Sequence, residues 1–99
     1  MKQLIWYLIA GTRGGETRAI IIKSILDEPK NANQLAKSLK LDYKTIRHHI
    51  DVLTKNSVIY AINKDNYGAV YFPTEIFEHN RTHFEEIWKR FGNKSGKPT

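Results

Sequence analysis

The sequence predicts a mainly helical chain carrying one β-hairpin, on three observations. Residues 31–58 hold two short amphipathic helical patterns separated by a tight break. The second pattern sets lysine, arginine and histidine opposite its apolar stripe. Two stretches rich in β-branched and aromatic residues, joined by a polar turn, follow directly. Helix, turn, helix and then hairpin is the order of a winged helix-turn-helix, an α+β architecture in a single domain.

Each element has its own reason. Leu4 to Ala10 is a short apolar segment, read as a helix, and Gly11-Thr12-Arg13-Gly14-Gly15 breaks it. From Glu16 to Asp27, Ile21, Ile22, Ile25 and Leu26 recur at helical spacing, and Glu16 suits the positive helix start. Pro29 stops that helix, because the residue before proline is pushed out of the helical region. Asn31 with Gln34 three residues on resembles a capping box, and Leu35, Ala36 and Leu39 then face the core. Lys40-Leu41-Asp42 makes the turn. Asp42 caps the next helix, Tyr43 to Lys55, with Ile46, Ile50 and Leu53 as its apolar stripe. Asn56 is read as its left-handed terminator. Val58 to Asn63 and Ala69 to Phe72 are the strands of the hairpin, with 64–68 as its turn. Pro73 ends the second strand. Thr74 caps one last helix to about Phe91, with Ile76, Phe77, Phe84, Ile87, Trp88 and Phe91 on one side. The domain is therefore 1–91, and 92–99 is expected to be a disordered polar tail.

Composition bounds the function. Sixteen Lys and Arg against ten Asp and Glu give a net charge of +6, which favours polyanionic partners. Charge alone does not choose between DNA, RNA and an anionic membrane. Cysteine is absent, so disulfides, thiolate chemistry and cysteine-based zinc sites are excluded; this fits a cytoplasmic protein. The longest apolar run, Leu4 to Ala10, is seven residues, whereas a membrane span needs about 20.

With Ile46 at the centre of the buried stripe, Ile50 and Leu53 stay close to it at 100° per residue. Lys44, His48, Asp51 and Lys55 fall opposite, and Thr45 and Arg47 flank. Residues early in a recognition helix reach base edges, so Lys44, Thr45, Arg47 and His48 are the base-proximal candidates. Tyr43 leans to the core side and offers its hydroxyl to a sugar or phosphate. Asp51 is a like-charge problem beside phosphate unless it pairs with Arg47 or Lys55. The bland alternative is an ordinary solvated face. Lys64, Asn66 and Tyr67 at the hairpin tip are candidates for backbone contact, although a tip lysine is also a solubility device. Gly14 and Gly15 before a helix, with Arg13 and Arg18 nearby, suit either a DNA phosphate or a tight turn with unusual dihedrals.

On these residues the chain resembles archaeal winged-helix transcriptional regulators of the broad ArsR-like class. The resemblance is carried by Trp6 to Gly15, by Thr17-Arg18-Ala19, by Asn31 to Ala36 and above all by Leu41 to Ile50. It implies a dimeric, sequence-specific regulator whose second motif helix enters the major groove of double-stranded DNA. Many members sense metals through cysteines near that helix, and this chain has none.

The last helix also holds Glu75, His79, His83 and Glu86 at spacings of four, four and three. His and carboxylate at such spacing can bind zinc, with His79, His83 and Glu86 the candidates, but a polar edge beside an apolar stripe is the simpler account. His48 and His49 project about 100° apart and do not converge; His49 is read as a packing residue. No cofactor is expected. No nucleophile with a base, no cofactor fingerprint and no paired carboxylates suggest an enzyme. Leu4, Trp6, Leu8, Phe84, Trp88 and Phe91 exceed the needs of a small core, so the terminal helices are expected to pair two subunits into a homodimer. The alternative function is a protein-interaction module docking through the aromatic C-terminal helix.

Overall fold

The computed structural model describes residues 1–63 and 68–95, with side chains described only through Phe91 near the C-terminal end. Helix α1 is Lys2–Ala10, α2 is Gly15–Asp27, α3 is Ala32–Leu39 and α4 is Tyr43–Lys55. Strand β1 is Lys30–Asn31, β2 is Ile59–Ile62 and β3 is Val70–Pro73. Two further helices, α5 (Glu75–His79) and α6 (Arg81–Ser95), close the described chain. It is a winged helix-turn-helix. A single apolar core draws on every helix, with Ile5, Ile21, Leu35, Ile46, Phe77 and Phe84 among its fully buried members.

The turn between α3 and α4 is fixed by local chemistry. Asn31 and Gln34 form the reciprocal capping box at the start of α3. Lys40 closes that helix in the left-handed conformation (φ 57°), and Leu41 N–H reaches back to the Ala36 carbonyl at 3.0 Å. One residue later, the Asp42 carboxylate accepts from the Lys44 and Thr45 N–H groups. A helix stop and a helix start are thus packed into three residues, which fixes the angle between α3 and α4.

Five sequence expectations are corrected. The wing is a three-stranded antiparallel sheet in the order β1-β3-β2, not a bare hairpin. Lys30 and Asn31 pair with Tyr71 and Val70, and a two-residue strand carries no period of its own. The terminator of α4 is Ser57 (φ 61°), with Asn56 outside the left-handed region at φ −98°. Val58 N–H bonds the Leu53 carbonyl and Ser57 N–H the Thr54 carbonyl, which puts the left-handed residue one position later. The last helix is broken at Asn80, whose side-chain amide donates to the Ile76 carbonyl at 2.8 Å. Ile76 is exposed, off the stripe that Phe77, Phe84 and Ile87 bury. Finally, the helix continues through Ser95, so the expected tail does not begin at Gly92; residues 96–99 lie outside the described ones.

The expected surplus of apolar side chains at the two ends is partly absorbed within the chain. Helix α1 packs on α6. Leu8 and Phe84 are buried, and Leu4, Trp6, Trp88 and Phe91 pack partly buried against the core. The Arg90 guanidinium sits 5.1 Å over the Trp6 ring, covering it further. Among the described residues no helix is long and apolar enough to cross a membrane.

Candidate nucleic-acid interface

Helix α4 is the centre of the site, and its sides are sharply divided. Ile46, His49, Ile50 and Leu53 are buried at three- and four-residue spacing, the period of one helical face. Lys44, His48, Asp51 and Lys55 are exposed on the other side, with Thr45 and Arg47 half-buried between the two. This matches the division read from the sequence. Tyr43 differs: it does not lean toward the core but stands 47% exposed at the helix start.

Arg47 is held in place. Its Nη1 donates to the Tyr71 hydroxyl at 2.7 Å, and its Nη2 meets the Asp51 carboxylate at 3.2 Å. The Tyr71 hydrogen bond raises the arginine pKa further against the opposing effect of partial burial. Asp51 is therefore neutralised locally by its neighbour one turn back. A cleft of about 490 Å³ opens beside this cluster, between α4 and the sheet, with Ile50, Ala61 and Ala69 in its walls.

On the other side of α4 lies a second junction, fully enclosed. Arg18 of α2 is only 5% exposed. Its Nε donates to the Leu8 carbonyl at 2.9 Å, its Nη2 to the Thr12 hydroxyl and the Arg13 carbonyl, and its Nη1 to His49 Nδ1 at 3.2 Å. Burial lowers the Arg18 pKa, and among the described residues no carboxylate accepts from it. For His49 to accept from a guanidinium, Nδ1 must carry a lone pair, so the ring is neutral. Burial first, then Arg18 and His48, push the His49 pKa below 6.5. Arg18 is thus committed inward and does not join Arg13 in holding a phosphate, as the sequence had allowed. The signal that could have found this pair, buried positions 31 residues apart, is not periodic.

The glycine break serves this junction. Gly14 is left-handed at φ 84°, and a Cβ there would meet His49 Cε1 at 2.9 Å. At Gly15 a Cβ would lie 1.8 Å from the Ile9 carbonyl oxygen, so only glycine lets α2 start against α1. Arg13 lies exposed beside this turn.

The remaining candidates fare unevenly. Lys64, Asn66 and Tyr67 lie outside the described residues. His79 ends α5, while His83 and Glu86 belong to α6, so the break at Asn80 interrupts their common face. Among the described residues no three His, Asp or Glu gather as a set able to hold a metal ion.

With this geometry, comparisons with known proteins converge. Residues 15–60 match the family described as bacterial regulatory protein, arsR family. That span runs from the first residue of α2 into β2 and includes the whole helix-turn-helix. The transcriptional regulator homologue from Pyrococcus horikoshii OT3 shares the fold with a TM-score of 0.66 at 22% identity, over 95% of this chain and 97% of that one. The adhesin competence repressor AdcR from Streptococcus pyogenes gives 0.58 at 18% identity, over 93% of this chain and 77% of that one. A cysteine-to-serine mutant of ZitR from Lactococcus lactis gives 0.56 at 18% identity over 80% of this chain, which spans 60% of the ZitR chain. No curated protein sequence matches the chain. Residues 15–60 are thus similar to the arsR family of bacterial regulatory proteins, and the chain as a whole has the winged-helix fold.

Proposed function

We propose that this chain is a sequence-specific, DNA-binding transcriptional regulator that places the N-terminal half of α4 in the major groove. The carrying observation is the division of α4: a buried Ile46-Ile50-Leu53 stripe, backed by an exposed face bearing Lys44 and His48 with Arg47 at its edge. Arg47 uses two of its five N–H donors within the chain and keeps three for a guanine edge or phosphate. Lys44 and His48 donate to base or phosphate acceptors, and Thr45 sits beside them. Tyr43 and Arg13 reach the backbone on either side. Lys64, Asn66 and Tyr67 are assigned to the wing's backbone contact, which sets register rather than sequence.

The regulator acts as a homodimer. Tyr7 stands 60% exposed on α1, beside half-buried Leu4 and Trp6, and gives the terminal helices an apolar surface for a second copy. A two-fold dimer would set two copies of α4 about one DNA turn apart, roughly 34 Å, and select a near-palindromic site. The alternative, docking of another protein through the aromatic C-terminal helix, has less surface to work with. Phe84 and Ile87 are fully buried, and Trp88 and Phe91 already pack on the chain's own core.

Selection from a random-sequence duplex pool at two salt concentrations tests this reading. A recovered motif with two-fold repetition, bound less tightly at higher salt, is expected. Salt-sensitive binding without a motif would contradict sequence reading, and no binding at low salt would contradict a DNA function altogether.

A further inference from the structure

We propose that Tyr71 is a positioning residue for base reading, acting through its hydroxyl on Arg47. The inference rests on the DNA-binding reading above and deepens it by assigning the origin of specificity at one base pair.

Tyr71 occupies the central strand β3, paired on one side with Lys30 and on the other with Ala61. Strand β3 is therefore held from both edges, and Tyr71 itself is buried. Its hydroxyl is a fixed acceptor 2.7 Å from Arg47 Nη1. A tyrosine ring adds only two torsions between that hydroxyl and the strand, so the acceptor moves little. Arg47, by contrast, has four rotatable bonds and a correspondingly large rotamer entropy. It also has room to move, because the cleft between α4 and the sheet opens beside it. Asp51 supplies a second tie at 3.2 Å, but that carboxylate is exposed and on the same helix as Arg47. Of these two ties, only the tyrosine links Arg47 to a different element.

The consequence concerns selectivity more than affinity. A guanidinium free to swing meets phosphate on many sequences. One fixed in direction pays less entropy at a single guanine edge and cannot follow a wrong base. The sheet thereby sets the direction in which the recognition helix reads.

The test uses the whole chain and the duplex recovered by selection, with every single base-pair variant of it. Tyr71→Phe removes only the hydroxyl and keeps the ring in the core. We expect it to lower discrimination about 3- to 10-fold at the same base pair that Arg47→Ala affects. Discrimination at the other positions, and affinity for unrelated duplex, should stay within about two-fold. In an Arg47→Ala background, Tyr71→Phe should change discrimination no further. Asp51→Ala, which leaves the hydroxyl in place, serves as a second variant and should retain most of the preference. A Tyr71→Phe chain that loses discrimination evenly at all positions, or that has the same effect with and without Arg47, overturns the assignment. So does a folded Tyr71→Phe chain with unchanged preference. A wild-type chain that prefers no base would instead overturn the functional reading itself, and this assignment with it.

Discussion

Arg18 and Arg47 both tie α4 to its neighbours, and they do so by opposite means. Arg18 is enclosed and meets only neutral acceptors, three of them on α1 and the following turn and the fourth on His49 of α4. Arg47 stands half-exposed on α4 itself and meets a carboxylate one turn along and a tyrosine on the sheet. The buried junction fixes where the helix lies. The surface junction fixes where one side chain points. A guanidinium suits both, because its fork of donors ties several acceptors at once in a set geometry.

The largest effect on stability is expected at the buried junction. Arg18→Leu would leave the Arg13 carbonyl and His49 without their donor, and the Leu8 carbonyl with only the Thr12 hydroxyl at 3.2 Å. Buried groups left unpaired cost about 1–3 kcal/mol each, offset here by the desolvation that the lost charge no longer requires. A net loss of about 3 kcal/mol in denaturant unfolding is expected. A loss under about 1 kcal/mol would mean that apolar packing alone fixes α4.

At the surface junction the effect moves from folding to binding. Arg47→Ala should weaken the selected duplex by about 1–3 kcal/mol and relax preference at one base pair. Its stability cost should stay near the worth of one hydrogen bond, about 1 kcal/mol. Equal losses at every base pair would make Arg47 a phosphate contact and erase the contrast between the two junctions.

Acid sharpens the comparison further. His49 has a lowered pKa in the folded chain, so it remains neutral there while the unfolded chain takes up a proton near pH 6.5. Stability from this group is therefore fully present above pH 6.5 and falls as pH drops below it, by at most about 1.4 kcal/mol per pH unit. The measurement is unfolding free energy from about pH 7.5 to about pH 5, with His49→Asn as comparison. The variant should show a shallower decline over that range. Parallel curves would leave His49 without a part in the acid response.

The smallest effect belongs to the exposed ion pair. Asp51→Asn should change stability by no more than about 0.5 kcal/mol, as expected for a solvated i,i+4 pair. Removing a negative charge near the backbone should instead raise affinity for any duplex modestly, detectable at low salt. A large stability loss would show that Asp51, rather than Tyr71, holds Arg47.

The parts legible in the sequence were those set by neighbours along the chain. The α4 stripe follows from residues three and four apart, and the Asn31 and Asp42 caps follow from side chains that bond two or three residues ahead. The order of elements then led to the winged helix. What escaped depends on chain segments meeting from afar. Lys30 and Asn31 are a strand only because β3 lies beside them. Tyr71 and Arg47 are 24 residues apart, and nothing in an alternating strand pattern marks which inward tyrosine meets a helix arginine. Arg18 was left open between a phosphate site and a tight turn because its sequence neighbours, Arg13 and two glycines, suit either; its burial is a tertiary fact. The apolar positions after Pro73 fit one long helix, and the break comes from the Asn80 amide satisfying a carbonyl of the preceding turn.

If α4 reads bases from the major groove, removing a single major-groove acceptor must be felt. Replacing each guanine of the selected duplex in turn by 7-deazaguanine does this and leaves the minor groove untouched. Affinity is expected to drop about 5- to 100-fold at one guanine per half-site, and Arg47→Ala should no longer distinguish the two duplexes. Undiminished binding at every 7-deazaguanine, together with a loss when guanine is replaced by inosine, which lacks the minor-groove amino group, would contradict major-groove reading by α4.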